Sequence, residues 1–278
     1  MSDFKAPESS STSIQLIAIP GIPDIKKGNS LGAVLLECLM KAGIELVDGD
    51  IVAIAHKIVS KAEGRLVNLN HVTVSEYALE IAEITKKDPR LVELILLESD
   101  EISRMREGVL IVRHRLGFTS ANAGIDRSNV PQNCQTTDNS GLNSNLGDWV
   151  LLLPLDPDAS AARIAGSLKS ETGAEIGVII VDSHGRPFRL GTVGVAIGVY
   201  GIPALWDRRG DTDLYGYVLQ HTEVGIADEL AAAASLLMGQ ADEGQPAILI
   251  RGLWLPKESG KASDLIRPEH LDLYRDAG

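Results

Sequence analysis

The chain predicts a mixed α+β fold with substantial antiparallel pairing, and two observations carry that reading. Short apolar runs bounded by turn residues intermix with segments of helical spacing. Nowhere do they settle into the strand–helix–strand alternation of a doubly wound parallel sheet. The length of 278 residues suits one large domain or two smaller ones. Hydrophobic residues make up 44% and aromatics only 4%, so the core is expected to consist mainly of Val, Ile, Leu and Ala.

In order along the chain, residues 14–19 (IQLIAI) read as a strand ended by the turn pair Pro20-Gly21. Asn29 and Ser30 precede LGAVLLECLMKAGI, a helical pattern stopped at Gly43. Asp48-Gly49-Asp50 is a turn before a second strand, 51–56 (IVAIAH), which runs into the polar segment KIVSKAEGR. Residues 73–87 and 88–98 read as two helices, the first capped by Thr73 or Ser75. Extended segments are expected around 109–113 and 117–122. Residues 131–147 have no apolar periodicity and many Asn, Ser, Thr and Gly, so they read as a loop.

WVLLLPL is then a strand and DPDASAARIAGSLKSETG a helix capped by Asp156 or Asp158. Residues 176–183 form a buried strand that ends at Asp182 and enters the turn HGRPFRLG. GTVGVAIGVYG, being apolar and Gly-rich, is a tightly packed strand or a close backbone approach. Residues 206–216 are a charged loop, 222–238 an Ala-rich helix, GQADEGQ a loop and PAILIRG a last strand.

The formal charge of −12, from 26 basic and 38 acidic residues, argues against a general nucleic-acid or membrane-surface binder, because both partners are polyanions. An anionic substrate remains compatible with it, since a bound metal or a local basic cluster reverses the sign at a site. Two cysteines, Cys38 and Cys134, are too few for a disulfide framework and lack zinc-finger spacing. Residues 1–13 carry no signal-like apolar stretch and read as a flexible leader. No run approaches the ~18 apolar residues of a membrane helix. A soluble, cytoplasmic protein is expected.

The standard nucleotide motifs G-x-x-x-x-G-K-[ST] and strand-linked G-x-G-x-x-G are missing, as is H-E-x-x-H. Four other segments carry candidate chemistry. Ser60 to Arg65 puts two cations, a hydroxyl and a carboxylate in one short stretch, suited to phosphates or a carboxylate; by charge alone a solvated loop is the better reading. Asn122 to Asn129 offers small residues for close backbone approach and Asp126 for a hard cation, in even balance with an Asx-type turn. Asp182 to Arg189 sets a carboxylate at a strand end with Arg186 and Arg189 after it, and here an anion-handling role outweighs a structural turn. Met238 to Gln245 reads by itself as a helix stop at Gly239 and a loop. Asp126 and Asp182 together suggest an oxygen-ligand site for Mg²⁺ or Mn²⁺ rather than zinc.

KIVSKAEGR, ANAGIDRSN, VDSHGRPFR, DLYG and LLMGQADEGQP occur in the order seen in coenzyme F420-0:L-glutamate ligases, also called F420 gamma-glutamyl ligases. The chain resembles that family from about residue 17 to residue 251. The resemblance implies an enzyme that adds L-glutamate to F420-0, the glutamates joining through gamma linkages, using GTP and Mg²⁺ or Mn²⁺, with K⁺ as a further cation. GTP would phosphorylate the terminal carboxylate of F420-0, and the glutamate amine would displace phosphate from the acyl phosphate. It also implies an α+β architecture of mixed sheets and packed helices, in two subdomains and an intertwined homodimer. The catalytic unit would span 14–255 with an insertion at 131–147 and a tail at 256–278. The chain resembles the stand-alone form, without a C-terminal nitroreductase-like domain.

Carried over by position, Asp126, Asp182, Ser183 and Gln240 align with metal ligands. Pro20, Gly21, Ile22, Pro23, His56, Lys57, Lys61 and Asn129 align with the guanine-nucleotide site. So do Met238, Gly239, Gln240, Ala241, Asp242, Glu243, Gly244 and Gln245. Lys61 would counter phosphate charge, and with Asp126 and Asp182 it forms the expected catalytic set. Arg186 and Arg189 are candidates for holding the second anionic substrate, on chemistry alone. His184 stands where the family varies. The competing readings are a paralogue that amidates another acidic cofactor precursor and a non-catalytic nucleotide- or metal-binding protein of the same fold.

Overall fold

The computed structural model describes residues 13–130, 148–256 and 258–272; the expected insertion 131–147 and residues 1–12 of the expected leader lie outside them. In chain order the first half forms β1 (Gln15–Ala18), α1 (Leu31–Lys41), β2 (Ile51–Ala55), α2 (His56–Ala62), β3 (Leu66–Asn68), α3 (Glu76–Thr85), α4 (Pro89–Leu97), β4 (Ser99–Arg106), β5 (Val109–His114) and β6 (Thr119–Ala121). The second half forms β7 (Trp149–Leu151), α5 (Pro157–Thr172), β8 (Gly177–Arg186), β9 (Arg189–Tyr200), β10 (Trp206–Asp207), β11 (Glu223–Val224), α6 (Ile226–Met238) and β12 (Ala247–Arg251).

A five-stranded sheet in the order β1-β12-β2-β8-β9 forms the centre. Its β2–β8 pair is parallel and its other three pairs are antiparallel, which is the mixed pairing expected. The inner strands read as unbroken apolar runs because both faces are covered. Val52, Ile54, Val178, Ile180 and Leu249 face the layer containing α1 and α5. Ile51, Ala53, Ile179, Val181 and Ile248 face α6. A register shift between Ile180 and Val181 in the β8–β9 ladder marks a bulge, after which Ala196 and Val199 come to lie on one face.

The glycines of β9 are explained by close approach. A side chain at Gly194 would strike the Ala231 carbonyl of α6, and one at Gly198 would come within 2.6 Å of Pro157 at the start of α5. Helix starts follow the expected caps: Ser30, Ser75, Asp88 and Asp156 each accept a backbone N–H in the first turn. A separate core gathers α3, α4, β5 and β7 around Leu69, Ile95, Leu110, Val112 and Val150.

Three expectations are corrected and one strand is new. Ser60 to Arg65 is not simply a solvated loop: Ser60 to Ala62 end the helix α2 (His56–Ala62), in which His56, Ile58, Val59 and Ser60 are buried. The strand after 176 does not end at Asp182 but continues as β8 to Arg186, paired throughout with β9. Residues 223–224 are a strand, β11, so the helix expected from 222 starts at Ile226. β4 was not expected at all; its sequence SDEISRMR is mostly polar, and β5 supplies the template that extends it. Within the segment 256–278, Ala262 and Leu265 pack against the α6 face of the sheet.

Glu98, buried at the end of α4, accepts hydrogen bonds from Arg65 (2.6 Å) and Arg115 (2.8 Å). Arg65 also donates to Leu153 O, so one guanidinium ties the segment after α2 both to Glu98 and to the chain that follows β7. His114 Nε2 stands 3.8 Å from Glu98, and burial lowers the His114 pKa from 6.5 to about 4. A histidine lowered in this way binds fewer protons in the native than in the unfolded state. Its contribution to stability is therefore complete above pH 6.5 and is lost as pH falls toward 4, by up to roughly 3 kcal/mol. His114→Asn, which keeps an acceptor for Leu116 N, should flatten that part of the stability curve. Denaturant unfolding of both proteins at several pH values between 7 and 4.5 checks it; parallel curves would contradict the assignment.

Candidate active site

Strand register decides which residues meet at one edge of the central sheet. Ala18 lies opposite Ile248, Ala247 opposite Ile54, Ala55 opposite Val181 and Asp182 opposite Val195. The turn after β1, the start of α2, Asp182 and the loop before β12 therefore share that edge. Asp182 is the first β8 residue beyond the end of its parallel partner β2, so it is at an edge although it is not at a strand end.

Backbone hydrogen bonds hold these segments together. Ile19 N donates to Ala247 O, Ala55 N to Pro246 O (2.8 Å) and Gly28 N to Ala62 O (2.8 Å). Residues 20–28, with Pro20, Gly21, Ile22 and Pro23, thus run between β12 and the end of α2. The turn 126–129 closes on the opposite loop through Asn129 Nδ2, which donates to Ala241 O at 3.0 Å. Asn129 has φ +54, which asparagine tolerates better than most residues. In the 238–245 loop, Glu243 accepts from Ala241 N (2.8 Å), and Gln240 and Asp242 are exposed.

Two carboxylates are held in different ways. Asp126 lies on a β-bridge to Leu151, so its backbone belongs to the strand layer of the second core. Its side chain accepts Lys57 Nζ at 2.7 Å and Ser128 N at 2.7 Å, and Lys57 also reaches Ser128 Oγ (2.6 Å). Burial would raise the Asp126 pKa; the hydrogen bonds from Lys57 and Ser128 outweigh it and hold the carboxyl below its ordinary value.

Asp182 has no lysine partner among the described residues. Its Oδ2 meets His184 Nε2 at 2.9 Å, and its Oδ1 accepts Ser183 N and lies 3.3 Å from His56 Nε2. Burial opposes its ionised form, but the imidazole of His56 and the hydrogen bond from His184 keep its pKa below the ordinary value. His56 is almost fully buried; desolvation lowers its pKa, against the fields of Asp182 and Asp126. The approach of His56 Nε2 to Asp182 is too oblique for a hydrogen bond, so that buried nitrogen has no hydrogen-bond partner among the described residues.

Lys61, one turn beyond Lys57, contacts Asp24 at 3.3 Å. Among the described residues no group of three or more His, Cys, Asp and Glu gathers as a metal site. A cation at Asp126 or Asp182 would accordingly complete its shell with neutral oxygens, water or substrate phosphate, which is how Mg²⁺ is commonly held. The oxygen donors present suit such a hard ion, and each carboxylate retains lone pairs beyond its present bonds.

Not every expected residue joins this edge. Alternation along β8 turns the Ser183 side chain to the face opposite Asp182. Arg186 and Arg189 do not converge on Asp182: they pair with each other at the tip of the β8–β9 hairpin, where Arg186 donates to Leu190 O. Contacts that sequence reasoning missed are Ser128 and Asp24 as lysine partners, the His184 bond to Asp182, and Phe118, whose ring centroid is 4.9 Å from that of His184. Ser128 and His184 lay within quoted motifs, but nothing in the motifs fixed their partners.

With this geometry in hand, similarity to known proteins can be stated. A family model described as F420-0:Gamma-glutamyl ligase matches residues 21–252. A coenzyme F420:L-glutamate ligase of Methanothermobacter thermautotrophicus is 48% identical over 264 residues, covering 94% of this chain and 99% of its own. Proteins of the same description from Methanocaldococcus jannaschii and Methanopyrus kandleri are each 43% identical. They cover 91% and 94% of this chain, and 94% and 98% of their own.

Proposed function

The chain belongs to the F420-0:gamma-glutamyl ligase family, and from that premise we propose that it is a ligase of coenzyme F420 biosynthesis that joins L-glutamate to F420-0 with GTP. The observation that carries the site reading is the closing of four distant segments on one sheet edge: 20–28, α2, 126–129 and 238–246. They bring two lysines and Asp126 to the edge where Asp182 lies, at a place where backbone loops can surround a nucleotide.

The chemistry follows from the substrates. A carboxylate is a poor acyl donor near neutral pH, so it must be activated, and transfer of the GTP γ-phosphate gives an acyl phosphate. Attack by the glutamate amine on that acyl phosphate forms the amide C–N bond and expels inorganic phosphate. In this reading Lys57 and Lys61 offset phosphate charge, and the exposed loop 238–245 with residues 20–23 encloses the nucleotide. Asp126 and Asp182 would hold Mg²⁺ or Mn²⁺, with Gln240 as a neutral candidate. The metal would neutralise charge on the phosphates during transfer. Asp182, which meets histidines and no lysine among the described residues, keeps its negative charge available to a cation.

The hairpin tip bears on assembly. Phe188 and Leu190 are 95% and 97% exposed on a projecting arm. Large apolar side chains held out in this way mark an interaction surface, and a second copy of the chain is the partner that suits the family resemblance. Arg186 and Arg189 would then meet an anionic substrate only where that arm reaches the other subunit. Phe188→Ser with Leu190→Ser should convert a dimer to a monomer in sedimentation equilibrium; an unchanged mass would place the interface elsewhere.

The reaction itself is tested by mass spectrometry of F420-0 incubated with the protein, L-glutamate, GTP and Mn²⁺. A GTP-dependent product heavier by glutamyl units is expected; nucleotide binding without product would point to another acidic acceptor. Asp182→Asn should lower turnover at least about 100-fold, the upper end of what loss of an outer-shell partner costs, with the fold intact by circular dichroism. Full turnover would remove Asp182 from the mechanism. Lys61→Ala should weaken GTP about 10-fold, or ~1.4 kcal/mol, the scale of one charge-assisted hydrogen bond. Calorimetric titration with GTP reads this directly.

A further inference from the structure

Phe118 belongs to the turn between β5 and β6, yet its ring reaches the central sheet. We propose that Phe118 and His184 are positioning residues for Asp182: the ring of Phe118 holds His184, and His184 fixes the Asp182 carboxylate. This rests on the reading of Asp182 as a metal ligand.

The contacts form a continuous series. His114 and Phe118 are stacked with centroids 5.2 Å apart and planes within 10°. Phe118 then meets His184 at 4.9 Å with the planes tilted by 49°. His184 Nε2 completes the series at Asp182 Oδ2, 2.9 Å away. The turn behind Phe118 is itself tied down. His114 N donates to Phe118 O (2.8 Å), Gly117 N to His114 O (2.7 Å), and Leu116 N to His114 Nδ1 (3.0 Å). The side chains of His184 and Asp182 are only 12% and 11% exposed, so neither has room to swing into solvent.

Without this support Asp182 would be poorly fixed. It sits just beyond the end of β2, so the parallel neighbour that braces Val181 is missing at its own position. His56 approaches it too obliquely to orient it. The hydrogen bond from His184 is the side-chain bond that sets the carboxylate plane, and partners of this kind commonly change metal affinity 10- to 100-fold when removed.

The test uses the full chain and reads Mn²⁺ binding by electron paramagnetic resonance, together with GTP binding in the absence of metal. His184→Leu should weaken Mn²⁺ binding about 10-fold or more while leaving metal-free GTP binding unchanged. His184→Gln, whose amide can reach the same oxygen, should restore most of the affinity. Phe118→Leu, which fills space but cannot brace the imidazole with a flat ring, should weaken Mn²⁺ binding in the same direction. A folded His184→Leu protein with wild-type Mn²⁺ affinity overturns the proposal. If that variant does not fold, His184→Asn decides: its shorter amide cannot span the gap, and wild-type affinity there overturns it equally. Asp182→Asn separates the two levels. Mn²⁺ binding unaffected by Asp182→Asn sinks the metal-ligand reading and the proposal together. Binding lost in Asp182→Asn but retained in His184→Leu sinks the positioning role alone.

Discussion

The parallel pairing of β2 with β8 is the constraint on which the rest depends. With Ala55 opposite Val181, the chain leaving β2 must turn into α2 directly beside Asp182, and His56 has nowhere to go but against that carboxylate. The pair is locked because its residues alternate between two filled cores. A one-residue slip would send Val52, Ile54, Val178 and Ile180 to the wrong faces. Register is therefore strongly specified, and the geometry of the site follows from it.

The electrostatics of the edge are built by partial compensation. Asp126 is matched by the ammonium of Lys57 and by a backbone N–H. Asp182 is matched only by hydrogen bonds and by a histidine that burial drives toward neutrality. One carboxylate is thus neutralised and the other is stabilised without being neutralised. Asp182 is therefore the carboxylate of this pair without a lysine partner among the described residues.

The second core contributes through two routes. Arg65 ties the segment after α2 to Glu98 and to Leu153, close to the strand that pairs with Asp126. Phe118 carries its influence to His184 through ring contacts. The glycines of β9 serve the same end from the other side, letting α5 and α6 approach the strand closely enough to bury it on both faces.

The sequence by itself determined the family, the elements whose signals are local, and the segments of the candidate site. Ser30, Asp88 and Asp156 announce helices because a cap is satisfied within three residues, and the unbroken apolar runs announce buried strands. It did not show that 56–62 is a helix, since the run is short and its polar face dominates the reading, nor that β8 passes through Asp182, since the continuation is held by pairing with β9 rather than by its own apolar pattern. Only the tertiary structure decided which side chains meet. Lys57 and Ser128 are 71 residues apart, and Asn129 and Ala241 are 112 apart. Such contacts carry no local signature, because their free energy exists only once sheet register and core packing have brought the segments together.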